Sequence, residues 1–380
     1  MQNLYGLDRA GMEALFVSQG LQAFRGRQLM KWAYHAGQID FASMTDLPLR
    51  TREWLTANAC FQLPAVADFK QSRDGTCKWL LDAGGGNLIE TVLIPDKGRN
   101  TLCVSSQIGC MLDCSFCSTG KQGFSGNLSA DVIVGQLVIA NQHLSASGQQ
   151  VTNIVLMGMG EPLLNFDAMI AATNIMKDDL AFGLSKRKVT VSTAGVVPGI
   201  YALAEATDIA LAISLHAPFD ELRDELVPIN RKYPLAQLKQ ACQHYVDHLG
   251  ERRKLVIEYT LMKGVNDQLE HAVALAEWLR DVRCKINLIP FNPFPASGYE
   301  RPAEEDIYAF QTHLMNAGYT TMLRTTRGED IDAACGQLAG QVKDRTKRQT
   351  RYLARVKAAE STPGDTSVNS SGSGGKVHVG

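Results

Sequence analysis

TLCVSSQIGCMLDCSFC, residues 101–117, decides how the rest of this chain is read. It opens as a short apolar run of the kind that makes a buried strand. It then passes directly into Cys110, Cys114 and Cys117, spaced C-x3-C-x2-C. Thiolates are soft ligands that suit zinc, copper and iron–sulfur clusters. A structural zinc site needs a further pair of ligands close by, yet the next histidines are His143 and His216. A ferredoxin cluster takes four cysteines at its own spacings. Three thiolates on a 4Fe–4S cube leave one iron without a protein ligand. That iron is open to a small molecule offering hard donors such as an amino and a carboxylate group.

Working outward, the stretch is the first of a series. Apolar, β-branched runs recur at TNIVLMG (152–158), KVTVSTAG (188–195), IALAISLHA (209–217), KLVIEYTLM (254–262) and CKINLIPF (284–291). Between them lie helical patterns such as SADVIVGQLVIANQHL and DQLEHAVALAEWLRDV. Six strands with intervening helices predict parallel βα units, an α/β fold closing into a partial (βα)6 barrel with its chemistry at the C-terminal strand ends. TTMLRTT (320–326) is a candidate edge strand. Upstream, DRAGMEALFVSQG and FRGRQLMKWAYHAG read as helices, and CKWLLDAGGGNLIETVLIP (77–95) reads as a hairpin around a Gly-rich turn. The expected organisation is a helical and hairpin module over 1–95, the barrel with its C-terminal extension over 96–350, and a basic end with a disordered Ser/Gly-rich tail over 351–380.

Composition narrows the class. Hydrophobic residues make up 45% of the 380 and charged residues 20%, enough for a sizeable core. No stretch approaches the roughly 18–20 apolar residues of a membrane helix. The start has acidic residues and no apolar signal core, so a cytoplasmic location is expected. Nine cysteines, an odd count, argue for metal or catalytic thiols over a disulfide framework. The net charge of −1 decides nothing about nucleic acid. The run at 341–360, however, holds seven Lys/Arg against two acidic residues, either a solvated helix or a phosphate-contacting element.

The cysteine triplet, with Phe116 before its last member, resembles the signature of the radical S-adenosylmethionine (SAM) superfamily. That resemblance implies a 4Fe–4S cluster held by Cys110, Cys114 and Cys117, whose free iron chelates SAM. It assigns Gly160 and Glu161 of MGMGEP (157–162) to the SAM amino group. Ser192 after the third strand, Ser214, Leu215 and His216 after the fourth, and Asn292 after the sixth follow as further SAM residues. Taken singly, each is weak: a serine at a strand end is usually a helix cap, and a lone histidine is usually structural.

CVSSQIGCMLDCSFCSTGKQGF, VLMGMGEPLLN and RGEDIDAACGQL, within a likeness running from about residue 3 to 350, narrow the resemblance further. They are similar to the dual-specificity 23S ribosomal RNA and transfer RNA adenine C2-methyltransferases. That family implies Cys335 as the methyl carrier, Cys103 as the resolving thiol in a transient disulfide with Cys335, and Glu90 as the proton acceptor. It implies two SAM molecules per turnover, 23S rRNA and tRNA as substrates, a flavodoxin and its reductase as electron donor, and action as a monomer. The chemistry accounts for these parts. Adenine C2 is electron-poor and will not attack a sulfonium methyl. A carbon radical raised on S-methylated Cys335 adds to C2 instead. Glu90 then removes the proton, and Cys103 frees the product. Three other readings remain open: a C8-adenine methyltransferase conferring antibiotic resistance, an activase that sets a radical on a partner's glycine, and a non-catalytic iron–sulfur RNA-binding protein with Cys103 as fourth ligand.

Overall fold

In the computed structural model, which describes residues 1–360, one sheet organises the chain. The tail expected to be disordered, residues 361–380, lies outside the described residues. The sheet has ten strands: β1 (Val66–Gln71), β2 (Cys77–Asp82), β3 (Leu88–Asp96), β4 (Arg99–Cys103), β5 (Asn153–Leu156), β6 (Val189–Thr193), β7 (Ala210–Ser214), β8 (Leu255–Leu261), β9 (Cys284–Pro290) and β10 (Thr321–Leu323). They neighbour one another in chain order. Pairs from β1 to β4 are antiparallel and pairs from β4 to β10 are parallel. All six expected barrel strands form, and 320–326 supplies the edge strand. With β1 and β10 at its two edges, the barrel stays open.

Each parallel strand is followed by a helix, from Ala130–Ser145 after β4 to Glu304–Asn316 after β9. Strands covered on both faces read as near-continuous apolar runs, and all seven residues of β8 are buried. Polar residues in this interior gather at the C-terminal strand ends: Ser192, Thr193, Glu258 and Thr260 are buried, and Ser214 is nearly so.

Three local differences from the sequence reading matter. First, the hairpin β2–β3 is hydrogen-bonded to β4 from Val92↔Cys103 to Asp96↔Arg99, so the sheet runs unbroken through residue 95. Second, the first barrel strand ends at Cys103, not at 107. Buried Gln136 takes Ser105's N–H (2.8 Å) and C=O (2.9 Å) and draws the chain out of the ladder. Gln107–Gly109 then pairs with Phe124–Asn127 in a ribbon that frames the cysteine loop. Third, β1 and the helix Leu49–Asn58 carried no readable signal, since every residue of β1 is exposed. The leading helices pack on the barrel through Asn3–Asp131 (2.7 Å) and Arg9–Asp178 (2.8 Å). No helix among the described residues is long and apolar enough to cross a membrane.

Candidate active site

The cysteine loop leaves the Gln107–Gly109 strand and ends in a one-turn helix, Ser118–Lys121. Its close turns demand glycine: a Cβ on Gly109, at φ +75°, would sit 2.1 Å from Gly123 O. Cys110, Cys114 and Cys117 all face one cavity of about 940 Å3 of atom-free space that opens at the strand ends. Burial, and each sulfur's closeness to the others, push the Cys110 thiol well up and Cys114 to about 12. Such a trio of thiols becomes a trio of thiolates when a cationic core is bound among them. Among the described residues no three His, Cys, Asp or Glu are spaced for one mononuclear ion. Three thiols from one loop lining one cavity are a soft donor set of the kind that holds an iron–sulfur cluster.

The opposite wall comes from the strand ends. Gly160, at φ +104°, packs against Gln107, where a Cβ would meet backbone N at 2.8 Å. This close approach aims the next residue inward. The carboxylate of Glu161 accepts from Leu163 N (3.1 Å) and Ala194 N (2.8 Å), and burial raises it to about 7. Ser192 and Ser214 lie side by side, their hydroxyls 3.3 Å apart. His216 adopts a left-handed φ of +61°. Its Nδ1 accepts from Thr260 N (3.0 Å), and the Phe116 ring meets it edge-on at 4.5 Å. Burial and the nearby Arg223 charge lower its pKa to about 3, so it stays neutral with a donor on Nε2. Leu215 is buried in the core and serves this wall through its backbone.

Cys335 enters the same cavity from the far end of the chain. Its side chain is accessible through the opening yet surrounded by protein, and burial, helped by Glu258, pushes its thiol up to about 11. Cys103 is raised further, by burial first and then by the proximity of Cys335, so the fold brings together two thiols 232 positions apart in the chain (335 minus 103). Asn292 lies just off the cavity and donates to Cys335 O at 3.3 Å. Glu90 lines a second cavity, where its carboxylate pairs with Lys78 (3.0 Å) and accepts from Ala339 N (2.7 Å). The Cys335 segment runs between the two cavities.

Several residues escaped the sequence reading. Arg223 is fully buried and donates to Ala194 O (2.6 Å), Leu215 O (3.0 Å), Ser214 O (3.2 Å) and Asn230 (2.9 Å), tying the third and fourth strand ends together. In DELRDEL it is indistinguishable from a surface charge. Glu258 lines the cavity, its carboxylate held by Asn287 at 2.9 Å. Lys78, which fixes Glu90, reads in sequence as an ordinary strand lysine.

Comparison with known proteins agrees with this geometry. The model of the ribosomal RNA large subunit methyltransferase N-terminal domain matches residues 2–61, and that of the radical SAM superfamily matches 104–276. The dual-specificity RNA methyltransferase RlmN of Pseudomonas fluorescens is 55% identical over 367 residues, covering 95% of this chain and 96% of that protein. Its Pseudomonas putida counterpart is 56% identical, covering 93% of each. The crystal structure of a radical SAM methyltransferase from Sphaerobacter thermophilus aligns with a TM-score of 0.82 at 42% identity, over 89% of this chain and 99% of that one.

Proposed function

Because this chain belongs to the RlmN family of radical SAM RNA methyltransferases, we propose that it methylates adenosine at C2. The substrates are one adenosine of 23S rRNA at the peptidyl-transferase centre and the adenosine 3′ of the anticodon in tRNA. The observation that carries this reading is a single cavity lined by Cys110, Cys114, Cys117, Glu161, Ser192, Ser214, His216 and Cys335, with Cys103 beside it.

The cluster and SAM supply, when bound, an electrophilic methyl group and a hydrogen-abstracting radical. The chain's own residues do the rest. Cys110, Cys114 and Cys117 hold the cluster, while Gly160, Glu161, Ser192, Ser214, Leu215, His216 and Asn292 hold SAM. Cys335 takes the methyl as a thioether, which requires its thiolate. Its surroundings hold that thiol above its ordinary range, so proton removal is part of the step. The carbon on Cys335, once one of its hydrogen atoms has been abstracted, bonds to C2; the adduct then gives up one electron and Glu90 takes the C2 proton. Its fixed place, between Lys78 and the Cys335 segment, suits a base that must meet one ring position. Cys103 then attacks the Cys335 sulfur, forming a disulfide; the carbon leaves with the bonding pair, stays on C2 and takes up a proton as the methyl group of the freed RNA. An external reductant restores both thiols. Each turnover uses two SAM molecules, with flavodoxin and its reductase as the electron source. The enzyme acts as a monomer in the cytoplasm.

For RNA contact, the leading helical module and the exposed Lys343, Arg345, Lys347 and Arg351 are the candidates. The test is anaerobic incubation of reconstituted protein with SAM, reductant and RNA fragments, followed by nucleoside mass spectrometry. 2-Methyladenosine is expected. 8-Methyladenosine would reassign the position, and an unmodified base would contradict the proposal.

A further inference from the structure

The run 341–360 reads in sequence as a basic surface, but Arg348 is turned inward and is only 9% exposed. Its guanidinium donates to four carbonyls of the cysteine loop. Nη2 reaches Cys110 O at 2.8 Å and Met111 O at 3.2 Å, and Nη1 reaches Leu112 O at 2.8 Å and Gly120 O at 3.2 Å. Nε donates to Thr346 Oγ1 at 2.9 Å. The nearest carboxylate, that of half-exposed Asp113, is 4.0 Å away. A guanidinium buried without a matched carboxylate is costly unless every donor is used and a compensating negative charge lies near. The carbonyls use the donors. They belong to the loop whose three thiolates would carry the charge.

The contact also lies close to a ligand. Two of the four carbonyls that Arg348 binds belong to Cys110 and to Met111 directly after it. A positive charge held near a cluster favours the form with one more electron, and net charge is among the factors that set a cluster's potential. Neighbouring contacts hold Arg348 in place. Asp344 accepts from Phe124 N (3.3 Å) and Gln349 N (2.9 Å), so the segment is latched on both sides of the guanidinium.

We propose that Arg348 is a positioning residue for the iron–sulfur cluster, clamping the loop of Cys110 and Cys114 and placing a positive charge that favours the cluster's one-electron-reduced form. This rests on the cluster reading above. It removes Arg348 from the RNA-contacting set and makes the start of the C-terminal helix an internal latch.

The test uses the full chain, reconstituted anaerobically, as parent, R348Q, R348K and R280Q. Midpoint potentials come from an EPR-monitored titration in which dithionite supplies the electron, and iron release is timed against a chelator. R348Q is expected to shift the potential negative and to release iron at least threefold faster. R348K keeps the charge but cannot span four carbonyls, so it should hold the parent potential and still release iron at least threefold faster. R280Q, on an exposed residue outside every site named here, should match the parent. A parental potential in R348Q, or parental iron release in R348K, overturns the proposal. If R348Q holds no cluster, R348K decides alone. R348Q should also leave the salt dependence of RNA binding unchanged, and a shallower slope would return Arg348 to the RNA face. A parent chain with no cluster would overturn the cluster reading itself, an outcome distinct from any of these.

Discussion

The ends of β6–β9 and the segment 333–344 face the same cavity but reach it by opposite routes. The strand ends are continuations of a hydrogen-bonded ladder, buried on both faces and cross-tied by Arg223. The segment around Cys335 is neither helix nor long strand. It is held by discrete bonds to distant residues: Ser118 N to Gly336 O (2.8 Å), Thr119 Oγ1 to Leu338 O (2.8 Å), Gln122 Nε2 to Gly340 O (3.0 Å) and Ala339 N to Glu90 (2.7 Å). A ladder fixes a wall once. A strap held bond by bond can shift without disturbing the core. That suits the role proposed for Cys335, whose thiol would meet a methyl donor, an RNA base and a second thiol in turn.

The comparison breaks most sharply at the thiols. Cys335→Ala should remove all detectable RNA methylation while iron content and reductive cleavage of SAM persist. Loss of the cluster in that variant would mean that strap and wall are one unit. Cys103→Ala should stop within the first cycle, before product release, and leave protein covalently joined to RNA, visible as a slow band on a denaturing gel. Full turnover without that band would remove Cys103 from the strap's cycle. Glu90→Ala should stall at the same adduct with the C2 proton retained, and normal release would exclude it as the base.

A smaller effect follows from the Cys335 thiol. Deprotonation creates the nucleophile, and the thiol lies near 11. SAM-dependent methylation of Cys335, read from the mass of its peptide, should therefore rise about tenfold per pH unit from pH 7 to about 10. A flat profile would show that the strap holds Cys335 as a thiolate. The smallest effect is mechanical. Thr119→Val removes one strap bond and should cost about 1 kcal/mol in a denaturant melt, with the cluster potential unchanged.

The same contrast explains what could be read from the amino acids. Ladder-borne features are local: Cys110, Cys114 and Cys117 follow a strand, Glu161 follows a glycine that only a close turn requires, and Ser192, Ser214 and His216 each end an apolar run. Periodicity puts such residues at strand ends and spacing marks the three cysteines, while the superfamily resemblance gives Glu161, Ser192, Ser214 and His216 their expected role. Cys103, Cys335 and Glu90 had meaning only through a family likeness, because their meeting depends on contacts spanning more than two hundred residues. Arg223 and Arg348 were missed for a related reason. An arginine that spends its donors on carbonyls leaves no partner residue in the sequence, and beside acidic or basic neighbours it passes for surface charge. β1 was missed because a strand paired at a sheet edge, with every side chain exposed, needs no apolar pattern.

The most direct test of the central claim is the mass of the Cys335 peptide. Protein incubated anaerobically with SAM alone should gain one methyl group on Cys335. Addition of RNA and reductant should move that carbon to adenosine and leave a Cys103–Cys335 disulfide. A Cys335 that stays unmethylated while the RNA acquires its methyl group would contradict the account.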